Sequence, residues 1–500
     1  MKKRSISIII LAAMLAVNLS SCGDTSVQTE TTTQADSGMT TSPTDNSPFI
    51  KDELPDDLDF NEKTVTWFIG DYNAAYWDDF YAEEQNGSRI NDAIYKCRNN
   101  VEERLNVKFD YFRMQVTYEN RFDTKTALAA SVMAGDNAYD IYAGRSNIDL
   151  VAEDKKYLLE LSSVKYIDLG KPWWNKSLIN MLPGNRVYEL NGDGTLSLMK
   201  HAFCVFFNQS ILNSIGVSDD MYGLVESGRW TIDKLGEYAK LGYSDVNGST
   251  TADYGDRFGL TFGDANKMLG FQLALGGVTA QKGKDGYDIH IGDDIMVRAF
   301  DAAYALVHNT EGVLLPGANN TSNKLAVESF GGNYADKSFI EGNALFTMSL
   351  VGDAFTLIGD AKFDYGLMPY PKYDESQENY VTAVQRQAYF AAPGYADPEL
   401  VGAVLEAWSS ECYRVLQPEY FETTLKARYS ADENMAAMFD LLRDTMKVDI
   451  SNYFSSIVGS MVDPMKNLIM GKKEGQWSSE MAKNMESWKT KFAEVWENFS

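Results

Sequence analysis

Five hundred residues, 44% hydrophobic, 12% aromatic and 23% charged, suffice for two or three domains with large cores, which excludes a peptide, a wholly disordered chain and a coiled coil. The 45 Lys and Arg stand against 71 Asp and Glu, a formal charge of −26, so nucleic acid, polyanions and anionic lipid surfaces are poor partners.

The chain begins with the basic stretch Met1-Lys2-Lys3-Arg4, then an apolar run from Ile6 to Leu19, then Leu19-Ser20-Ser21-Cys22. That order predicts a secretory signal peptide over 1–21, because the run is too short for a membrane span and carries a basic flank. Residues 22–48 are rich in Thr and Ser and lack Lys and Arg, the composition of a solvated tether. No later segment reaches 18 uninterrupted apolar residues, so the folded part is not expected to cross a membrane.

Thr64-Val65-Thr66-Trp67-Phe68-Ile69 reads as a strand, the stripe Ile94, Cys97, Val101 and Leu105 as a helix, and 107–111 as a second strand. Strand, helix, strand is a βαβ unit, which predicts a parallel sheet. A helix over 125–133, strands over 139–144 and 202–208, and a helix capped by Thr231 continue the alternation, so the fold class is α/β. A Lys282-Gly283-Lys284-Asp285-Gly286 turn predicts a hairpin within 277–292. Met481, Met485, Trp488, Phe492, Val495 and Trp496 share one helical face, as in a terminal helix docked on a core.

The chain has no Gly-x-Ser-x-Gly elbow, Walker loop, His-Glu-x-x-His or dinucleotide-binding glycine motif. His201, His290 and His308 are too far apart in sequence to suggest a zinc site, and neither a metal nor a cofactor is expected. Cys97, Cys204 and Cys412 are an odd number and imply no disulfide framework; Cys97 and Cys412 fall on apolar helical faces, and any pairing stays open. Turn-rich segments carry aromatic residues: Tyr72 and Trp77 after the first strand, and Trp173-Trp174 after Pro172. Flat rings beside polar groups suit a pyranose, whose C–H face covers a ring while its hydroxyl rim takes hydrogen bonds. The tandem tryptophans equally suit a loop plugged onto the core.

Several segments together resemble a family. Leu-Ser-Ser-Cys22 is similar to the lipobox of bacterial lipoproteins, in which the cysteine is lipidated and becomes the first mature residue. Ala202-Phe203-Cys204-Val205-Phe206-Phe207-Asn208 with Gln209-Ser210-Ile211-Leu212, Arg229-Trp230-Thr231-Ile232-Asp233-Lys234-Leu235, 339–346, Gly352-Asp353 and 365–371 resemble, in order, the landmarks of family 1 extracellular solute-binding proteins of ABC importers. The resemblance implies a two-lobe type 2 periplasmic-binding-protein fold with a hinge between lobes. It implies an N-terminal lobe over 60–195 plus 384–432 and a C-terminal lobe over 196–383 plus 433–500. It also implies cleft positions in loops after strands: Tyr72, Trp77, Arg145, Asn147, His201, Asp264, Asn266 and Asp353, with Trp173 and Trp174 joining them if they form a platform.

The function expected from this resemblance is a monomeric, non-enzymatic receptor on the extracellular face of the cell membrane. It would be held there through Cys22 alone and would deliver a carbohydrate to ABC permease subunits. A surface glycoside hydrolase or a carbohydrate-binding adhesin are the alternatives, since fold alone does not decide function.

Overall fold

The structure, a computed structural model, describes residues 49–249, 255–315, 334–356, 358–385, 387–421 and 433–500. The signal segment, Cys22 and the tether lie outside the described residues.

Strand β1 (Lys63–Tyr72) is β-branched and aromatic, and it is buried from Trp67 onward. Helix α1 (Arg89–Leu105) buries Ala93, Ile94, Cys97, Val101 and Leu105 and stops where Asn106 turns left-handed at φ 49°. After β2 (Val107–Val116), helix α2 (Asp123–Ala134) and β3 (Ile141–Gly144), the chain leaves for a second sheet. That sheet collects β4 (Phe203–Asn208) and, beyond α3 (Ile232–Gly242), strand β5 (Phe258–Phe262). Thr231 caps α3 by accepting a hydrogen bond from the Lys234 amide at 3.3 Å, as the sequence predicts. A hairpin of β6 (Ala280–Lys282) and β7 (Tyr287–Ile289) precedes α4 (Asp294–His308), and β8 (Val313–Leu314), β9 (Ala344–Leu350) and β10 (Tyr365–Met368) complete the second sheet. The chain then forms β11 (Thr382–Ala383), β12 (Tyr389–Ala391), α5 (Pro398–Glu411), β13 (Met446–Lys447), α6 (Asp463–Met470) and α7 (Trp477–Phe499).

The first sheet has the order β12-β3-β1-β2, with β1 parallel to both neighbours and β12 antiparallel to β3. The βαβ expectation therefore holds for β1, α1 and β2. The second sheet, β10-β4-β9-β5-β8, is mixed: β4 runs antiparallel to both β10 and β9, while β5 is parallel to β9 and β8. The chain enters β4 at the end where β9 finishes, and the Val351 amide donates to the Ala202 carbonyl at 2.9 Å. Arriving at that end, β4 has to run against β9.

Helix α7 docks as predicted, burying Met481, Trp488, Phe492 and Val495 together with Trp477 and Phe499. The Trp477 indole donates to the Ile291 carbonyl at 2.8 Å, and Phe499 at the other end packs 5.9 Å from Tyr188. Tyr188 lies two residues before Leu190, which pairs with Phe390 of β12. The terminal helix thus bridges the residues just after the β6–β7 hairpin and the segment that pairs with β12. No helix among the described residues is long and apolar enough to cross a membrane.

Candidate functional site

Parallel strands end together, so side chains just beyond them converge. On the first sheet β1 and β3 pair Gly70 with Gly144. A Cβ at Gly144 would lie 2.8 Å from the Gly70 carbonyl oxygen, so the absence of a side chain allows the close approach. Tyr72 and Arg145 follow these glycines, and the Arg145 guanidinium lies 4.6 Å from the centroid of the Tyr72 ring. Among the described residues Arg145 has no carboxylate partner.

Asp71, fully buried, fixes the loop that follows β1. It accepts from the Tyr76 and Trp77 amides at 2.9 and 3.1 Å and from Arg113 through two nitrogens at 2.9 and 2.6 Å. The loop is joined to the other half by Asp79, also fully buried, which pairs with Lys200 and accepts from Thr195 Oγ1 at 2.9 Å.

On the second sheet the start of β4 lies beside the ends of β5 and β9, which brings His201, Asp264, Asn266 and Asp353 to one edge. Lys267, buried, places its ammonium 3.6 Å from Asp264 and 3.5 Å from Asp353. Asp353 also accepts from Ser349 Oγ at 2.5 Å and the Leu350 amide at 3.0 Å. Asn266 accepts from Lys466 of α6 at 3.0 Å, so the C-terminal segment contributes to this edge. His201 Nδ1 lies 3.0 Å from the Ser197 carbonyl, and its ring is 6.2 Å from that of Tyr76, which belongs to the first-sheet loop. The loop after β1 therefore touches the segment entering β4 at the Tyr76–His201 and Asp79–Lys200 contacts.

Tyr72 and Arg145 thus lie at the ends of β1 and β3 on the first sheet, and His201, Asp264, Asn266 and Asp353 lie at one edge of the second. Trp173 is completely buried, its ring 6.0 Å from Tyr413. Trp174 is 2% exposed and donates its indole N–H to Glu406 of α5 at 3.0 Å. Both rings are enclosed, as a loop plug would be, and both border a cavity with Tyr413, Gln417, Arg443 and Met446. Asn147 is buried, its backbone amide donating to Glu189 and its side-chain Nδ2 to the Arg145 carbonyl at 3.4 Å. Trp77 is half-buried in a cluster with Arg113, 4.9 Å from its centroid, and Tyr81, 4.7 Å away, on the β2 side of β1.

Sequence reasoning missed Glu189, Tyr389, Gln387 and Tyr453. Glu189 is fully buried and accepts from Ser146 Oγ at 2.5 Å and from the Asn147 amide, directly behind the Arg145 loop. Burial pushes its carboxyl up to about 8, outweighing these donors, and Asp149 adds to the rise. Tyr389, Tyr76, Arg145 and Glu189 are electrostatic neighbours, and Gln387 donates to the Tyr389 hydroxyl at 2.7 Å. Tyr453 lies beside Glu189 and Tyr389, its hydroxyl pKa raised by burial. The one available signal was a lone acid among apolar neighbours, Val187-Tyr188-Glu189-Leu190. No group of His, Cys, Asp and Glu among the described residues has the arrangement of a metal site.

No protein-family model and no curated protein matches the sequence. Solved structures do match in fold. UspC of M. tuberculosis superposes with a TM-score of 0.56 at 16% identity, over 86% of this chain and 100% of its own. A cyclo/maltodextrin-binding protein, solved with maltotetraose, gives 0.54 at 13%, over 86% and 97%. A family 1 extracellular solute-binding protein from Bifidobacterium longum subsp. infantis gives 0.51 at 12%, over 87% and 99%. Two sheets joined through crossing segments are the two-lobe α/β architecture of the periplasmic-binding-protein fold, and this chain has that fold.

Proposed function

We propose that this protein is an extracellular solute-binding receptor that closes on a carbohydrate and delivers it to the permease of an ABC importer. The observation that carries the reading is the contact of the loop after β1 with the segment entering β4 at Tyr76–His201 and Asp79–Lys200, with Tyr72 and Arg145 at the end of the first sheet and Asp264, Asn266 and Asp353 at the edge of the second. Ligands of open α/β sheets bind outside strand ends and between lobes. Tyr72, largely buried, lies under the Arg145 guanidinium, which supplies donors to sugar hydroxyls, and the carboxylates and Asn266 supply acceptors. The maltotetraose complex of a fold neighbour supports the solute class.

In this reading the lobes comprise 60–195 with 384–432 and 196–383 with 433–500, and they part at the crossing segments to admit solute. Binding shifts the hinge equilibrium toward closure by its differential affinity for the two forms. Cys22 carries the lipid that holds the receptor at the membrane. The protein transfers its solute unaltered, so no glycosidic bond is cleaved. Calorimetric titration with a panel of neutral and acidic oligosaccharides tests the reading, with product analysis after prolonged incubation. A saturable heat with intact sugar recovered supports it. No binding across the panel, or hydrolysis of a sugar, overturns it.

A further inference from the structure

Two of the three described cysteines share one part of the core. Cys97 lies on the buried face of α1, and Cys412 opens a π-helical turn, Cys412–Leu416, directly after α5; both side chains are completely buried. A hydrogen bond ties their surroundings together. Asn100, almost one helical turn beyond Cys97, donates from Nδ2 to Oε2 of Glu411, the residue before Cys412, at 3.1 Å. The Cys97 thiol is also the first side chain to act on Cys412, whose ionisation is pushed up by burial and then by that neighbour. The π-turn inserts a residue into the helical repeat at Cys412, and such bulges re-aim side chains locally. Cys204 stands apart on β4 of the other sheet, where the groups acting on it are Asp353 and Lys267.

We propose that Cys97 and Cys412 form a disulfide in the exported protein, leaving Cys204 as a free thiol. The inference rests on the extracellular placement proposed above, since disulfides persist in oxidising compartments. Two S–H bonds break and one S–S bond forms. The two electrons and two protons pass to an external disulfide, from a small molecule or an exported oxidoreductase, which leaves as two thiols. Because both thiols are buried, exchange takes place while the chain folds, before α5 seats on α1. The bond then staples α5 to α1, segments that the chain brings together only after building the whole second sheet. Such a long closed loop restricts the unfolded chain strongly.

The full chain is purified from its own envelope, alkylated in denaturant without reductant, digested and analysed by mass spectrometry. A linked peptide pair containing Cys97 and Cys412, lost on reduction, with Cys204 alkylated, is the expected result. Alkylated Cys97 and Cys412 in that sample overturn the proposal. Two further arms locate the cause. Refolding in glutathione buffer tests whether the geometry permits the bond, and surface protease treatment of intact cells tests whether the protein is exported at all. Sugar titration of the same preparation reads the solute-binding proposal separately. Prior unfolding with reductant should lower the thermal midpoint of the wild type, whereas Cys97→Ser should show no dependence on reductant. If Cys97→Ser does not fold, reduction of the wild type alone decides: an unchanged midpoint refutes the staple.

Discussion

Replacing Glu189 by Gln keeps the side chain's shape and removes its titration. In the fold this carboxyl is fully buried, accepts from Ser146 and Asn147, faces Asp149, Tyr389 and Tyr453, and is pushed up to about 8 from its ordinary 4.5. Between those values the folded protein holds a proton that the unfolded chain has released. Stability from this group is therefore complete below pH 4.5, declines as pH rises and is lost once pH passes 8. At about 1.4 kcal/mol per pH unit the whole window amounts to roughly 5 kcal/mol, an upper figure because water reaching an opened cleft would relax the burial. Urea unfolding followed by tryptophan fluorescence at pH 5, 6, 7 and 8 measures it. The wild type should lose on the order of 2–4 kcal/mol more than Glu189→Gln across the series. Glu406, raised to about 7, and Asp193, raised to about 6, titrate in both proteins and cancel in the difference. Identical pH dependence in the two proteins would refute the assignment of a buried, protonated acid behind the Arg145 loop.

Trp173→Ala should cost about 3–5 kcal/mol of stability by excavating the core while leaving the solute affinity of the folded fraction unchanged, as read by denaturation and calorimetry. A loss of affinity at full stability would favour the platform reading. Arg145→Ala removes a cation whose described contact is the Tyr72 ring, so oligosaccharide affinity should fall tenfold or more while the thermal midpoint of the free protein moves little. Asp79→Asn leaves Lys200 without its buried partner at the junction of the halves. Chemical denaturation should show a loss of about 3–5 kcal/mol, and a loss below about 1 kcal/mol would mean that the pair behaves as a solvated one.

Local patterns in the sequence determined much of the architecture. The period-3.6 stripe through Ile94, Cys97, Val101 and Leu105 is the buried face of α1, Thr231 caps its helix, the Lys282–Gly286 turn closes a hairpin, and the Met and Trp stripe of 481–496 docks α7. Each follows from backbone geometry within about a dozen residues, where spacing alone says which side chains share a face. Spacing does not say what covers that face. Whether Trp173 and Trp174 would be wrapped depended on α5 and Glu406, more than 200 positions away, and only the folded chain put an acceptor beside the Trp174 indole. The direction of β4 was likewise undetermined, because an apolar run pairs equally well either way until the crossing chain sets the end at which it enters. Glu189 is an ordinary acid in the sequence; its raised carboxyl comes from burial in a core where Tyr389 and Tyr453, about 200 and 264 residues later in the chain, are its neighbours. Desolvation and long-range pairing depend on which distant segments pack together, so they belong to the tertiary structure alone.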